Sequence, residues 1–422
     1  MSLRATGPAD RNGGADIAAR IEATFGPIGP QIKRFAILAG QIMVFCFVLN
    51  TILMIVKINE ASFDGQAIQI EFTAFWAAAK LALAGDPAAA FNPDTLRAAQ
   101  TLPSDQPPGD LFWLYPPAWH IVIMPLGLLP FSAAYIVYSA VSFAVFTTAL
   151  RPLAAPLPGG VALVLAAPAV LIIMILGNNS LLWTAGLVAA LTAMTQERAV
   201  LAGILIALLT LKPQLGLLIP FALVFGGQWR TVLWACVGTA VITVLSTAAM
   251  GVDYWGHFFD MLQLMSELIK TEVVRFERMM TWYALIRLGG GGHELAFPIQ
   301  LAVSALAAAS VAWVWSRRDA GADIKAATLC IAIPLATPYA YHYEMTLTLA
   351  AAMFLARDGF GASRGARLWL LALWLGPVPG LALLGHMPAA IYAAPLLTAT
   401  LGLCLARATK PGWAATTHTS TV

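Results

Sequence analysis

FAILAGQIMVFCFVLNTILMIV, residues 35–56, contains no charged side chain. At about 1.5 Å per residue, a helix over this stretch is long enough to cross the roughly 30 Å hydrocarbon core of a bilayer. Lys33 and Arg34 precede it and Lys57 follows it, so the stretch is bounded by residues that prefer water. Residues 1–32 are polar and lack the apolar region of a cleavable signal, so we expect this helix to remain in the membrane.

The composition of the whole chain agrees with a membrane protein. Of its 422 residues, 59% are hydrophobic and 11% are charged, whereas a soluble domain carries about 25% charged residues. The net charge of +3 gives no reason to expect nucleic-acid binding. The four cysteines lie in apolar runs without disulfide or metal-ligand spacing, and no other cluster predicts a metal or cofactor.

Apolar runs between helix breakers predict an all-α protein with about twelve membrane-spanning helices. The predicted spans are 35–56, 131–150, 160–176, 179–195, 199–211, 213–227, 229–250, 294–315, 324–339, 342–356, 366–385 and 388–406. A further apolar piece, 117–129, follows the break at Tyr115-Pro116-Pro117 and either crosses the membrane or enters it and returns. The sequence has no convincing inverted repeat of the kind that many transporters carry.

Basic residues predict the orientation of the spans. The short loops that carry arginine or lysine all fall on one side if 117–129 re-enters, and the middle of the chain is inverted if it crosses. With re-entry, the N-terminal segment 1–34 and the tail 407–422 flank a transmembrane domain, 35–406, and are cytoplasmic. Two long loops, 57–115 and 251–293, then face outward.

Two of the predicted spans are too short to cross a bilayer alone. The runs 199–211 and 213–227 each cover less than the roughly 30 Å that a span requires. Short helices at membrane depth are tolerated where they line a water-filled cavity. We therefore expect a cavity that opens outward near Lys212 and Asn178.

The first outer loop, 57–115, carries seven acidic and three basic residues. Residues 72–84 predict an amphipathic helix ended by Gly85, and Asp94 is the expected N-cap of a second short helix. Such helices are expected to lie on the membrane surface with their aromatic side chains in lipid. Glu71, at the start of the first of these helices, is a candidate general base. Alternatively, it only favours the positive end of the helix dipole.

Short motifs in a fixed order carry a family resemblance. They are Glu71-Phe-Thr-Ala-Phe-Trp-Ala-Ala-Ala-Lys80, Leu83-Ala-Gly-Asp-Pro-Ala-Ala-Ala-Phe91, Leu114-Tyr-Pro-Pro117, Met124-Pro-Leu-Gly-Leu-Leu-Pro130, Gly177-Asn-Asn-Ser180, Lys212-Pro-Gln214 and Ala336-Thr-Pro-Tyr-Ala-Tyr-His-Tyr-Glu344. Over about residues 35–355, their order resembles glycosyltransferase family 87. These are membrane enzymes of the GT-C type that include mannosyltransferases dependent on polyprenyl-phosphate mannose.

The resemblance implies an inverting transfer of a mannose-like sugar at the outer face of a bacterial plasma membrane. The donor would be a polyprenyl-phosphate sugar and the acceptor a lipid or a lipid-linked glycan. The family places a carboxylate base at the outer end of the first helix–loop junction, usually Asp followed by Phe, where this chain has Glu71-Phe72. This longer side chain either shifts the acceptor or is not the base.

A second departure from the family pattern lies in Gly177-Asn178-Asn179-Ser180, where Gly-Gln-x-Asn is common. The amides of Asn178 and Asn179 are candidates for binding the sugar, although they reach less far than the family's side chains.

Cations are expected near the leaving phosphate, because it departs with negative charge. Lys212 is one candidate, since a charge between two short apolar runs is costly and is usually functional. Its alternative is a lysine that extends to the membrane interface. Arg275 and Arg278 in the second outer loop are further candidates, unless they form a solvated face with Glu272 and Glu277.

His342 lies at a predicted outer helix boundary, where it is expected to orient the base, share its proton or bind sugar hydroxyls. Tyr339 and Tyr341 are candidates for stacking on a sugar, and Glu344 is the alternative base. These residues otherwise form an interfacial aromatic belt. Two other classes of protein stay open, a transporter or lipid flippase and a non-catalytic scaffold. The near absence of charge at helix centres disfavours a transporter.

Overall fold

The computed structural model describes residues 8–59, 70–100, 112–271, 275–376 and 387–409, and this part of the chain is all-α. Its helices are α1 (Pro8–Phe25), α2 (Gly29–Asn59), α3 (Glu71–Leu83), α4 (Pro93–Ala99), α5 (Pro117–Ile123), α6 (Phe131–Ala154), α7 (Val161–Leu165), α8 (Pro168–Leu176), α9 (Ser180–Thr195), α10 (Ala199–Leu208), α11 (Ile219–Phe225), α12 (Trp229–Met250), α13 (Tyr254–Lys270), α14 (Trp282–Leu288), α15 (His293–Ser316), α16 (Ala322–Leu335), α17 (Thr346–Arg357), α18 (Arg364–Leu375) and α19 (Ala390–Ala408). Much of the predicted acidic loop, with Asp64 and Asp105, and also Glu272, lies outside the described residues.

Five helical segments in the described ranges are long and apolar enough to cross a membrane. They are Gly14–Val56, Phe131–Ala154, Trp229–Met250, His293–Ser316 and Ala390–Ala408. The prediction of an all-α protein with several membrane-spanning helices is therefore confirmed, whereas the number of twelve spans stays a prediction. The other predicted spans correspond to shorter helices, and the run 160–176 divides into α7 and α8 because Pro168 lacks the amide that would continue the first helix.

The two ends of the helical bundle differ in their polar residues. At one end, here called the basic end, Arg357 Nε lies 3.4 Å from Asp323 Oδ2 and Arg407 Nε donates to Asp358 Oδ2 at 2.7 Å. These pairs join the start of α16 to the ends of α17 and α19. At the opposite end, here called the site end, α9 and α17 begin while α8 and α10 finish. The predicted polar residues gather there.

Helix α3 packs inside the protein, so the expectation that its aromatic face lies in lipid is wrong. Phe72 and Phe75 are buried. The ring centroid of Phe72 lies 5.6 Å from those of Phe131 and Tyr135 and 5.2 Å from that of Tyr138. The first turns of α6 thus supply an aromatic surface that fits α3, and tilted and edge-to-face ring contacts of this kind stabilise the packing.

The sequence predicted Asp94 as the N-cap of α4, but in the structure the N-cap is Asn92. Asn92 Oδ1 accepts hydrogen bonds from the backbone amides of Asp94 at 3.1 Å and Thr95 at 3.0 Å. Pro93 takes the first helical position, where a missing amide costs nothing. Asp94 instead pairs with Arg97 on the surface, with 3.1 Å between Oδ1 and Nη1.

A buried polar cluster fixes α3 to its neighbours. His120 Nε2 lies 2.8 Å from Ala78 O on α3, and His120 Nδ1 lies 2.9 Å from Tyr254 Oη. Trp113 Nε1 donates to the same Tyr254 oxygen at 2.7 Å. A neutral histidine that donates from Nε2 and accepts at Nδ1 satisfies these contacts. The cluster joins α3, α5 and α13, and so holds the helix that begins with Glu71.

Candidate active site

Glu71 is the first residue of α3 and is partly exposed at the site end. Ile70 before it is extended, with φ −114° and ψ 151°, and its carbonyl accepts from Thr73 Oγ1 at 2.7 Å. The helix therefore begins abruptly, and the carboxylate lies at the positive end of the helix dipole. This local structure explains why an acidic residue is tolerated beside the aromatic face of α3.

The turn between α8 and α9 lies directly on α3. Gly177 ends α8 with φ +65°, and a Cβ atom built there would lie 2.5 Å from Phe72 Cβ. Asn178 follows, is only 1% exposed, and donates from Nδ2 to Glu71 Oε2. Its Oδ1 accepts from the backbone amide of Ser180 at 2.8 Å and from Ser180 Oγ at 2.6 Å. These bonds set the orientation of the amide, so that its NH₂ group points at Glu71.

Substitution of Gly177 with Ala is expected to destabilise the protein more than its backbone conformation alone explains. The left-handed conformation costs an L-residue about 1–2 kcal/mol, and the collision with Phe72 adds about 1–3 kcal/mol of overpacking. Gly227→Ala is the matched control, because Gly227 has nearly the same φ, +66°, and open space at its Cβ. The free energy of unfolding of both variants in detergent tests this. If both variants lose the same free energy of unfolding, the close contact between Gly177 and Phe72 does not contribute to stability.

A buried ion pair lies behind Asn178. Lys212, 4% exposed, donates from Nζ to Glu344 Oε1, and Glu344 is 1% exposed. Lys212 Nζ also donates to Ser180 Oγ at 3.3 Å and lies 4.8 Å from the centre of the Tyr343 ring. Lys212 is therefore neither free nor extended to the interface, and Glu344 is occupied by its partner.

The environment of Glu71 adjusts its proton affinity. Burial raises the pKa of Glu71 to about 7, against the hydrogen bond from Asn178 and the charge of Lys212, which both lower it. A carboxyl group with a pKa near neutral pH is suited to take up and release protons.

His342 lies on the connection between α16 and α17. Burial lowers the pKa of His342 to about 4, so the imidazole is neutral at pH 7. Its Nδ1 lies 3.3 Å from Arg278 O. The neighbouring rings of Tyr341 and Tyr343 stack, with their centroids 5.3 Å apart and their planes at 13°. Together these groups form a wall of neutral hydrogen-bonding and aromatic surface.

The other predicted residues differ in their exposure to solvent. Arg278 is exposed, and its charge lowers the pKa of Glu71. Arg275 and Tyr339 are also exposed, and Tyr339 donates its backbone amide to Thr337 Oγ1 at 3.1 Å. Asn179 is buried, and its Oδ1 has no hydrogen-bond partner among the described residues.

Ser180 is the site residue that sequence reasoning missed. It joins Asn178 to the ion pair of Lys212 and Glu344, with its Oγ 3.1 Å from Glu344 Oε2. Its only sequence signal is its place at the end of the Gly-Asn-Asn-Ser motif. Within the described ranges, no group of three or more His, Cys, Asp or Glu residues could hold a metal ion.

Comparison with known families gives one match. Residues 113–338 match the model of glycosyltransferase family 87, which is more than half of the chain. The matched range contains Asn178 and Lys212, whereas Glu71 lies 42 residues before it and Glu344 lies 6 residues after it. No curated protein and no solved structure matches the chain.

Proposed function

The chain belongs to glycosyltransferase family 87, and from this premise we propose that it is an inverting enzyme of the GT-C type. It moves a mannose-like monosaccharide from a polyprenyl-phosphate donor to a lipid or a lipid-linked glycan. The observation that supports this best is the Glu71 carboxylate, which is partly buried at the site end and held by Asn178. An inverting transfer requires one such base.

In this mechanism the Glu71 carboxylate removes the proton from an acceptor hydroxyl. The acceptor oxygen attacks the anomeric carbon from the face opposite the phosphate, and the bond from that carbon to the phosphate oxygen breaks. The electron pair leaves with the phosphate and the proton stays on Glu71 until water takes it. A single carboxylate suffices because the lipid phosphate is already a good leaving group, unlike the sugar oxygen in glycoside hydrolysis, which needs an acid as well.

The leaving phosphate needs a cation that is free to bind it. We assign this role to Arg278, because it is exposed and acts electrostatically on Glu71, whereas Lys212 is paired with Glu344. Arg275, exposed on the same segment, extends the positive surface toward the polyprenyl phosphate. His342, neutral at pH 7, donates to or accepts from sugar hydroxyls, and Tyr341 supplies an aromatic face for the sugar ring.

The activity is expected to rise with pH through about 7. The carboxyl group of Glu71 must be ionised to accept a proton, and burial raises its pKa to about 7. Below this pH the protonated fraction is inactive, so the logarithm of kcat/KM should increase with a slope near 1 from pH 5 and level off above pH 7. Initial rates in a constant-ionic-strength buffer series test this. A profile that is flat from pH 5 to 8 would contradict the assignment.

We place the protein in the bacterial plasma membrane, with both termini cytoplasmic, about twelve spans and the site end outward. Support comes from the arginine residues gathered at the basic end. The segment Pro117–Leu128 is short, reaching about 20 Å along its axis. That length favours a piece that enters the membrane and returns over one that crosses it.

This orientation predicts opposite labelling of two exposed positions. In a variant without the four native cysteines, Asp260→Cys on α13 should react with an impermeant maleimide in intact spheroplasts. Arg318→Cys, at the basic end after α15, should react only after permeabilisation, because it faces the cytoplasm. The reverse pattern would invert the orientation.

The enzyme itself is tested with purified protein, several polyprenyl-phosphate sugars and a membrane lipid extract as the acceptor source. A new glycolipid, detected by mass spectrometry, is expected with at least one donor. Absence of product with every donor would overturn the proposal. Movement of the donor across proteoliposomes without any glycosylated product would favour the transporter alternative.

A further inference from the structure

The distance between the backbones that carry Glu71 and Asn178 is fixed by direct contacts. The Gly177 backbone touches Phe72, so α3 and the turn after α8 cannot approach further. Tyr135 Oη also donates to Met174 O at 2.8 Å in the last turn of α8. Because Tyr135 packs on Phe72 as well, the same residues hold both backbones. Any change in reach must therefore come from the two side chains.

Those side chains share one gap. Glu71 contributes two methylene groups before its carboxylate, and Asn178 contributes one before its amide. They meet in a single hydrogen bond, from Nδ2 to Oε2. If one side chain were shortened by a methylene group, this bond would open unless the other became longer by the same amount.

The far side of Asn178 is anchored at its Oδ1 by the backbone amide and the hydroxyl group of Ser180. Lys212 donates to Ser180 Oγ, Ser180 donates to Asn178 Oδ1, and Asn178 donates to Glu71. Each group in such a chain polarises the next, which strengthens the last bond. The amide therefore has a fixed position from which it holds the carboxylate.

We propose that Asn178 is a positioning residue whose length is matched to that of Glu71, so that the two side chains together set where the catalytic base stands. This inference rests on the proposed function. The sequence suggested that the Asn178 amide binds the sugar. The proposal instead gives this amide the role of positioning the base.

A cycle of four proteins tests the proposal: the wild type, Glu71→Asp, Asn178→Gln and the double variant. A displacement of about 1 Å at a reacting group costs about 10²-fold in rate. We expect Glu71→Asp to lower kcat about 10²-fold and Asn178→Gln about 10-fold, with little change in the KM for the donor. The double variant should return to within about 10-fold of the wild type. Rescue stays partial because the longer Gln side chain at position 178 cannot accept from the backbone amide of Ser180 as Asn178 does.

Asn179→Gln provides the matched control, because Asn179 is the adjacent buried amide and has no bond to Glu71. Combined with Glu71→Asp, it should give no rescue. The pH at which activity is half-maximal adds a second readout. It should rise in Asn178→Gln, because the longer amide no longer meets the ionised carboxylate in the wild-type geometry, and return toward the wild-type value in the double variant.

Two results of the activity assay would overturn the proposal. One is a double variant no more active than Glu71→Asp alone, and the other is equal rescue by Asn179→Gln. The unfolding midpoints of the same four proteins are also measured without substrate. The decreases in midpoint of the two single variants, added together, should exceed the decrease of the double variant. A wild type inactive with every donor would overturn the proposed function. If the midpoint changes of the two single variants simply add up in the double variant, the pairing of Glu71 with Asn178 is overturned as well, whether or not the wild type is active.

Discussion

Replacement of Glu71 with Gln is expected to lower turnover about 10³-fold, within the range that general-base catalysis contributes. The amide has nearly the shape of the carboxylate but cannot accept a proton from the acceptor. Its oxygen still accepts from Asn178, so the local packing and the donor site are expected to survive. Stability and donor affinity should therefore change little while kcat falls.

Initial rates across donor concentrations, together with donor binding to purified protein, separate these effects. Asp260→Asn is the matched control, since it removes one exposed carboxylate from α13 at the same end of the bundle. It should behave as the wild type. If Glu71→Gln kept near-normal turnover, the base would be another residue, and Glu344 would be the first to examine.

Replacement of Lys212 with Met is expected to be the most destabilising single change at the site. Glu344 would remain buried without its cation, and loss of one member of a buried ion pair costs about 3–5 kcal/mol. The double variant Lys212→Met/Glu344→Leu should recover much of this loss, because no charge is left buried. Unfolding midpoints in detergent of the two single variants and the double variant measure the coupling.

The same variants separate the two roles considered for Lys212. If it stabilises the leaving phosphate, the stable double variant should lose several orders of magnitude in kcat. If it supports Ser180 and Asn178, the loss should be about 10-fold or less. Arg278→Gln is the contrasting change, since this exposed side chain should affect catalysis and not stability. A stable, fully active Arg278→Gln variant would return the phosphate role to Lys212.

The features predictable from the sequence are those encoded in local pattern. Apolar runs of sufficient length predict the long helices, and the short runs 199–211 and 213–227 predict short helices at membrane depth. The short runs also indicate a polar site near Asn178 and Lys212, which the structure brings close together through Ser180. The start of α3 at Glu71 also follows from the local sequence.

Long-range pairing was not predictable, because no local pattern encodes it. Lys212 and Glu344 each look like a residue at a helix boundary, and nothing in their neighbours indicates that they bind each other. The aromatic face of α3 has the same composition whether it contacts lipid or α6. Only the rings of Phe131, Tyr135 and Tyr138, far along the chain, decide between these environments.

The burial of α3 has a consequence for biogenesis. Helix α3 is synthesised before α6, so the rings that cover its aromatic face emerge from the ribosome only after it. Glu71 likewise meets Asn178 only when α9 has been inserted, and the ion pair behind them closes only after Glu344 emerges. A nascent chain that ends before α17 therefore contains Glu71 and Asn178 but lacks the carboxylate of Glu344, so Lys212 has no partner for its charge until the last third of the chain is made.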